Sequence, residues 1–324
     1  MSKFKQQRPA KFTLAGLVAA TMLAFAPNLW AGGDVVHWWV GDAESKALKV
    51  IVDEFERSGG KWVDTPHNDS EAAHASVKSR VIGGKPPAAV LMVVGATSQE
   101  WAKGGMLNDV DSVAKAENWD AVLPDGVASA SKQDGKYIAA PVFISTVNWR
   151  YTSLSVLQSA GVDEPMSWGA FMTSLPRIQK AGYIPIAMGG QDWQETLLFD
   201  HVALGEGGAQ YFRELLDGNM DTIDSDDTTR VFAAMRALAP YTDAGKAGRS
   251  WGDTNNLVIS GKAAYFFMGD WAKGGFLQAK KNPGKDFSCE ISPGSGMVLT
   301  AVDGFAFPKT SSSSDHATQG ALAS

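Results

Sequence analysis

Between residues 35 and 94 short apolar runs alternate with amphipathic segments, and that rhythm restricts the chain to a layered α/β fold. Val35 to Val40 reads as a buried strand. A helix follows from about Ala43 to Arg57, with Leu48, Ile51, Val52 and Phe55 on one stripe and Gly59-Gly60 as its stop. Lys61 to Thr65 reads as a second strand, Ser70 to Val81 as a second helix closed by Gly83-Gly84, and Pro87 to Val94 as a third, fully buried strand. A helix from Ser98 to about Lys103 comes next. This order predicts a parallel, doubly wound half-domain.

The rhythm changes after Pro141. Val142 to Val147 reads as a strand that carries the chain out of a first lobe. Helices are expected over Ser167 to Ala181, Trp193 to Leu204, Gly208 to Leu216 and Thr228 to Leu238, the last capped by Asp227 or Thr228. The acidic run 221 to 227 before it reads as a solvated loop. Gly261 to Met268 is a further strand, and Phe287 to Pro308 supplies strands returning to the first lobe. With 324 residues the chain can bury two cores. The expected division is lobe 1 over 32–143 and 286–324 and lobe 2 over 144–285, hinged by crossing strands over a cleft.

Lys3, Lys5, Arg8 and Lys11 precede an apolar run from Phe12 to Ala26, and no acid precedes Asp34. The run is too short for a stable membrane span, so residues 1–31 read as an export signal, cleaved after Leu29-Trp30-Ala31. The expected location is the periplasm. Removing the signal takes four of the 29 basic residues and none of the 35 acids, which leaves a net charge of −10. Nucleic acid and anionic lipid are poor partners for such a surface.

The pair Trp38-Trp39 falls at the carboxyl end of the first strand, where open α/β sheets present a ligand crevice. Indole faces stack on the C–H faces of a pyranose, and a carboxylate such as Glu44 accepts hydrogen bonds from adjacent hydroxyls, which points to a sugar receptor. Consecutive strand residues face opposite sides, so at least one of the two rings is expected outside a single core. Glu44 also suits the first turn of a helix through the dipole. Asp270 before Trp271 reads first as a helix N-cap. His67, Asp69 and His74 lack the spacing of a zinc site and read as solvated, so no metal is expected. Gly205-Glu-Gly-Gly208 lacks the third glycine and the preceding strand of a dinucleotide loop, no nucleophile elbow surrounds Ser295, and no cofactor is expected. The lone Cys289 reads as a structural thiol.

Six spaced segments, His37-Trp38-Trp39, Gly189 to Gln194, Gly248-Arg249-Ser250-Trp251, Gly261 to Ala264, Met268 to Ala272 and Val302-Asp303-Gly304-Phe305, resemble the periplasmic sugar-binding subunits of ABC importers. Within that family they are most similar to bacterial glucose and mannose receptors. The resemblance implies a two-lobed periplasmic-binding-protein fold (type II, cluster B-like). It also implies a monomeric receptor that closes on a monosaccharide and delivers it to the transmembrane subunits of the importer. By the same resemblance Trp38 and Trp39 stack from lobe one and Glu44 orients hydroxyls. Trp251 and Trp271 form the lobe-two aromatic wall, and Asp303 accepts a hydroxyl near the return crossing. Asn148, Gln191 and Trp193 complete the expected sugar-binding set.

The chain departs from the family pattern at Ser145-Thr146, where His-Arg is usual, and at Val93-Val94, where a long polar side chain is usual. The family also continues beyond the position of Ser324. That continuation implies a disulfide partner for Cys289 in the further segment, and a last helix whose apolar face, with Ala317, Ala321 and Leu322, has little to pack against. Two other readings stand beside the receptor: a glycosidase that pairs Glu44 with Asp303 or Asp270 across the cleft, and a non-binding relative serving as sensor or scaffold.

Overall fold

A computed structural model describes residues 32–292 and 295–324. The expected export signal over 1–31 lies outside the described residues. Two sheets organise the rest. Strands β1 (Gly33–His37), β2 (Trp62–Pro66) and β3 (Ala89–Val93) are followed by a small hairpin, β4 (Lys132–Gln133) with β5 (Lys136–Tyr137), and by β6 (Ala139–Thr146). The chain then forms β7 (Trp149–Ser153), β8 (Ile184–Ile186), β9 (Ala263–Met268), β10 (Phe287–Ile291) and β11 (Thr300–Ala306). The first lobe holds a five-stranded sheet ordered β2-β1-β3-β11-β6, and the second a four-stranded sheet ordered β10-β7-β9-β8. In the first sheet β1 pairs parallel with β2 and β3, while β11 runs antiparallel to both β3 and β6. The half-domain is therefore doubly wound but mixed.

Its central strands β1 and β3 are largely buried because helices cover both faces. On one face Val35, Leu91 and Phe305 pack with Leu48 of helix α1 (Asp42–Arg57); on the other, Val36, Val90 and Met92 pack with Ala73 and Val77 of helix α2 (Ser70–Ile82). Helix α1 stops where its stripe residue Phe55 is covered by the Gly59-Gly60 turn: Gly59 has φ +99°, and a Cβ on Gly60 would lie 2.4 Å from the Phe55 ring. Burying that ring contributes about 1.5–3 kcal/mol.

Several expectations need correction. The first strand ends at His37, so Trp38 and Trp39 lie in the turn before α1 and not at alternating ladder positions. Strand β10 pairs with β7, Glu290 opposite Arg150, and the buried Arg150 guanidinium bonds the Pro165 carbonyl and faces Glu164 and Glu290. These contacts fix β10 in the second sheet, so the return crossing follows Ile291 and does not precede 286. Likewise β6 keeps residues 144–146 in the first sheet. The two helices expected over Trp193–Leu204 and Gly208–Leu216 are both present, in contrast, filling Asp192–Leu216 and parted by the non-helical backbone of Gly208, φ +77°. The acidic run is not a loop: Asn219 caps a short helix over Met220–Ile223, and Ser225, not Asp227 or Thr228, caps the helix Asp226–Leu238. The last helix, Ser313–Ala323, does find a surface. It buries Thr318, Gln319 and Ala323 while Ala317 is exposed, and Gln319 bonds Asn108 and the Pro308 carbonyl. Leu322 packs with the cluster around Val35 and Leu48.

The outgoing and returning crossings are tied together by one side chain. Asn148, 1% exposed, donates through Nδ2 to the Met297 carbonyl and accepts the Leu299 N–H at Oδ1. Its own carbonyl takes the Ser292 N–H. Replacing it leaves the Leu299 N–H unpaired and the Met297 carbonyl with only the Ser295 hydroxyl, so Asn148→Ala is expected to lower stability by about 1–3 kcal/mol. Urea denaturation measures this; an unchanged midpoint shows that the crossings do not depend on the amide.

Candidate functional site

One cavity of about 320 Å³ opens between the lobes. Its lobe-one side comes from the turn before α1, the N-termini of α1 and α2, and strands β3, β6 and β11. Its lobe-two side is three indoles, Trp193, Trp251 and Trp271. Of the nine residues expected to bind sugar, the structure brings seven to this cavity: Trp38, Trp39, Glu44, Trp193, Trp251, Trp271 and Asp303. Asn148 and Gln191 are elsewhere. Asn148 is consumed by the crossings, and the Gln191 side chain accepts from Gln194, fixing the start of its helix. Asn68, Asp69, Ser70, Val93, Phe143 and Ser145 also line the space, and the residue-by-residue reading did not single them out as contacts. Two departures had flagged Val93 and Ser145, but only as lost anchors; the remaining residues carry no sequence signal beyond their adjacency to strand and helix ends.

The lobe-two wall explains two glycine-rich motifs. A Cβ on Gly189 would lie 2.2 Å from the Gln194 amide, and one on Gly190 would lie 2.5 Å from the backbone of Lys246 and Gly248. The two loops therefore close on each other, and Gly190 N–H bonds the Arg249 carbonyl at 3.1 Å. Arg249 also bonds the Met188 carbonyl and pairs with Asp243, whose carboxyl this guanidinium holds below its usual range. Trp193 and Trp251 thereby fall in the first turns of their helices, and Trp193 meets Trp271 at 6.4 Å between ring centres. Trp271 rests over Gly269, where a Cβ would lie 2.0 Å from its ring. Asp270 is not the N-cap, a place taken by Gly269; its Oδ2 accepts the Thr146 N–H at 3.0 Å and joins the aromatic turn to the end of β6.

On the lobe-one side, neither tryptophan escapes packing. Trp38 meets His74 edge-on at 5.5 Å, and His74 in turn meets Trp101 at 5.3 Å. The expectation of a solvated His74 is thus overturned: burial between indoles lowers its pKa. Asp69 is the N-cap of α2, accepting the Ala72 N–H, and among the described residues no cluster suits a metal ion. Trp39 is 7% exposed and donates its indole N–H to Asp303 Oδ2 at 3.2 Å. Asp303 is aimed by a β-bulge: it faces Phe143 while Gly304 faces Pro141, leaving Val142 unpaired. Gly304 has no room for a Cβ, which would lie 2.7 Å from the Ala140 carbonyl.

Glu44 takes the first-turn position read from the sequence and also lines the cavity. It sits at the third position of α1, accepts the Gly41 N–H at 2.9 Å and faces the cavity. Burial raises its pKa to about 7, opposed by the Gly41 N–H and reinforced by the Asp303 charge. Burial likewise raises Asp303 to about 6, against the Trp39 N–H. Such acids hold their protons to higher pH in the folded state than in the unfolded chain, so the folded state loses stability as pH rises from about 4 to about 7. Glu44→Gln and Asp303→Asn are therefore expected to stabilise the ligand-free protein at pH 8 by on the order of 1–3 kcal/mol, and to change little near pH 4. Thermal melts at both pH values check the sign; equal effects at the two would show that neither carboxylate is desolvated.

A sequence profile of bacterial extracellular solute-binding proteins matches residues 41–319. A probable sugar-binding periplasmic protein of Rhizobium meliloti (strain 1021) is 39% identical over 305 residues, 93% of this chain and 73% of that protein. A protein of the same description from Brucella suis biovar 1 (strain 1330) is 39% identical over 281 residues, 86% of this chain and 66% of its own length. The chain thus spans about two thirds to three quarters of these relatives. Among solved structures, the bacterial solute receptor AcbH, described as exclusively preferring β-D-galactopyranose, superposes with a TM-score of 0.71 at 23% identity, covering 89% of this chain and 74% of that one.

Proposed function

The chain belongs to the bacterial extracellular solute-binding proteins, and from that premise we propose that it is the periplasmic receptor of an ABC importer for a monosaccharide of the glucose or mannose type. The observation that carries this reading is the cavity walled by Trp38 and Trp39 from one lobe and Trp193, Trp251 and Trp271 from the other, with Glu44 and Asp303 between them. Flat apolar faces on both sides suit the C–H faces of a sugar ring, and the two carboxylates suit its equatorial hydroxyls. At about 320 Å³ the cavity lies at the lower end of the range of ligand pockets, about 300 to 1,000 Å³, which favours one ring over an oligosaccharide. The relatives are named as periplasmic sugar-binding proteins, which supports both the ligand class and the compartment. In this reading lobe one comprises 32–146 and 300–324, lobe two comprises 149–291, and a monomer presents both lobes to the transmembrane subunits.

Titration calorimetry tests the assignment. Glucose or mannose is expected to bind, a trisaccharide not to, and Trp251→Ala or Trp271→Ala to weaken binding at least about tenfold, equivalent to roughly 1.4 kcal/mol. Deoxy-sugars lacking the hydroxyl that meets Glu44 or Asp303 should lose more, because the buried carboxylate is left unpaired. Equal binding of sugar and deoxy-sugar would sink the role of the carboxylates, and no stabilisation by any hexose would favour the non-binding sensor.

A glycosidase reading draws on the same pair, since a buried acid raised to about 7 beside a second carboxyl is what leaving-group protonation needs. The relatives' names favour binding without turnover. Nitrophenyl glycosides separate the two: release of nitrophenol that disappears in Glu44→Gln would replace the receptor by an enzyme.

A further inference from the structure

Trp39 is the indole least suited to stacking. At 7% exposure it has little free face, Phe143 covers it edge-on at 6.2 Å, and its one polar atom is spent on Asp303 Oδ2. Trp38, by contrast, is only partly buried. We propose that Trp39 is a positioning residue, whose N–H holds Asp303 as the fixed hydrogen-bond acceptor of the cavity and leaves Glu44 as the carboxyl that carries the proton.

The surroundings of Asp303 support this division. Its neighbours on the flanking strands, Val93 of β3 and Phe143 of β6, are uncharged. Helix α1 presents Glu44, helix α2 presents Asp69, and the lobe-two wall is indole. Beyond that wall Asp270 is turned to the Thr146 N–H. No Lys, Arg or His is among the described residues lining the cavity. With no cation facing Asp303, the Trp39 N–H is the group that stabilises its ionised form, while burial acts against it. Glu44 has a single backbone donor and feels the Asp303 charge as well, so the remaining proton resides there. The cavity then presents one fixed acceptor and one group able to donate, and a sugar must match that polarity. This role in recognition rests on the receptor reading above; the Trp39–Asp303 bond does not.

Two measurements separate those parts. In the ligand-free chain, the Trp39 indole N–H resonance should move with pH at a midpoint near 6, the movement should vanish in Asp303→Asn, and Trp39→Phe should raise the Asp303 midpoint. An indole resonance indifferent to pH, or the same Asp303 midpoint in Trp39→Phe, overturns the proposal. The comparison of wild type with Asp303→Asn decides even if Trp39→Phe does not fold. With glucose, calorimetry across the acidic range should show affinity falling as Asp303 protonates, the fall moving to higher pH in Trp39→Phe and absent in Asp303→Asn. A loss in Trp39→Phe that is equal at every pH makes Trp39 a packing or stacking residue and overturns the positioning role. Absence of sugar binding by the wild type would instead refute the receptor reading, with the resonance experiment still deciding the bond.

Discussion

Two carboxylates held out of water among five indoles are the constraint on which the rest of this structure depends. A buried ionised acid is costly unless hydrogen bonds reach it. Glu44 receives one from the Gly41 N–H at the start of α1, and Asp303 receives one from Trp39. Both donors come from the short turn between β1 and α1. That turn must leave the sheet early, which is why the strand stops at His37 and why both tryptophans precede the helix. The balance remains unfavourable to charge, as the raised pKa of each acid shows. A site in this condition gains most when a ligand brings hydroxyl donors to the carboxylates, so its instability when empty and its affinity when filled have one origin.

The geometry that aims Asp303 is equally indirect. Pro141 lacks an N–H to give to β11, and beside it β6 gains the extra residue Val142. The bulge turns Asp303 toward the cavity while Gly304 passes within touching distance of the Ala140 carbonyl and Val94. The segment Val302-Asp303-Gly304-Phe305 thus combines an acceptor, a close approach and two core side chains in four residues. A residue larger than glycine at 304 would displace the acceptor that its neighbour supplies.

Much of this was legible in the sequence. The alternation of apolar runs and amphipathic stripes located the elements between residues 33 and 103 to within a few residues, because the central strands are buried on both faces, while the short helices over 111–130 and the hairpin over 132–137 carried no such signal. Motif resemblance located seven of the cavity residues. What was not legible depended on partners distant in the chain. Asn148 resembles a ligand contact in sequence, yet its amide meets Met297 and Leu299 across the hinge. His74 shows nothing of the indoles on either side of it. Strand β10 reads in sequence as returning to the first sheet, yet it pairs with β7 in the second, beside a buried Arg150 that lies 140 positions from Glu290. Side-chain capping also misled: Asp270 has the chemistry of a cap but serves the Thr146 N–H, a donor at the end of another lobe's strand.

Two small residues stand where the start of α1 meets lobe two. A Cβ on Gly41 would lie 3.2 Å from the Trp251 ring and 2.8 Å from Glu44 Oε2, and one on Gly274 would lie 2.9 Å from the Ala43 Cβ. Gly41 has φ −68°, which any residue adopts, so glycine is required here for space and not for backbone freedom. The start of α1 therefore does three things in four residues: it leaves room for the opposing indole, supplies the N–H that satisfies Glu44, and turns that carboxylate into the cavity. The cap donor and the lobe contact thus belong to the same residue: the space left for Trp251 and the hydrogen bond that orients Glu44 toward the cavity both depend on Gly41.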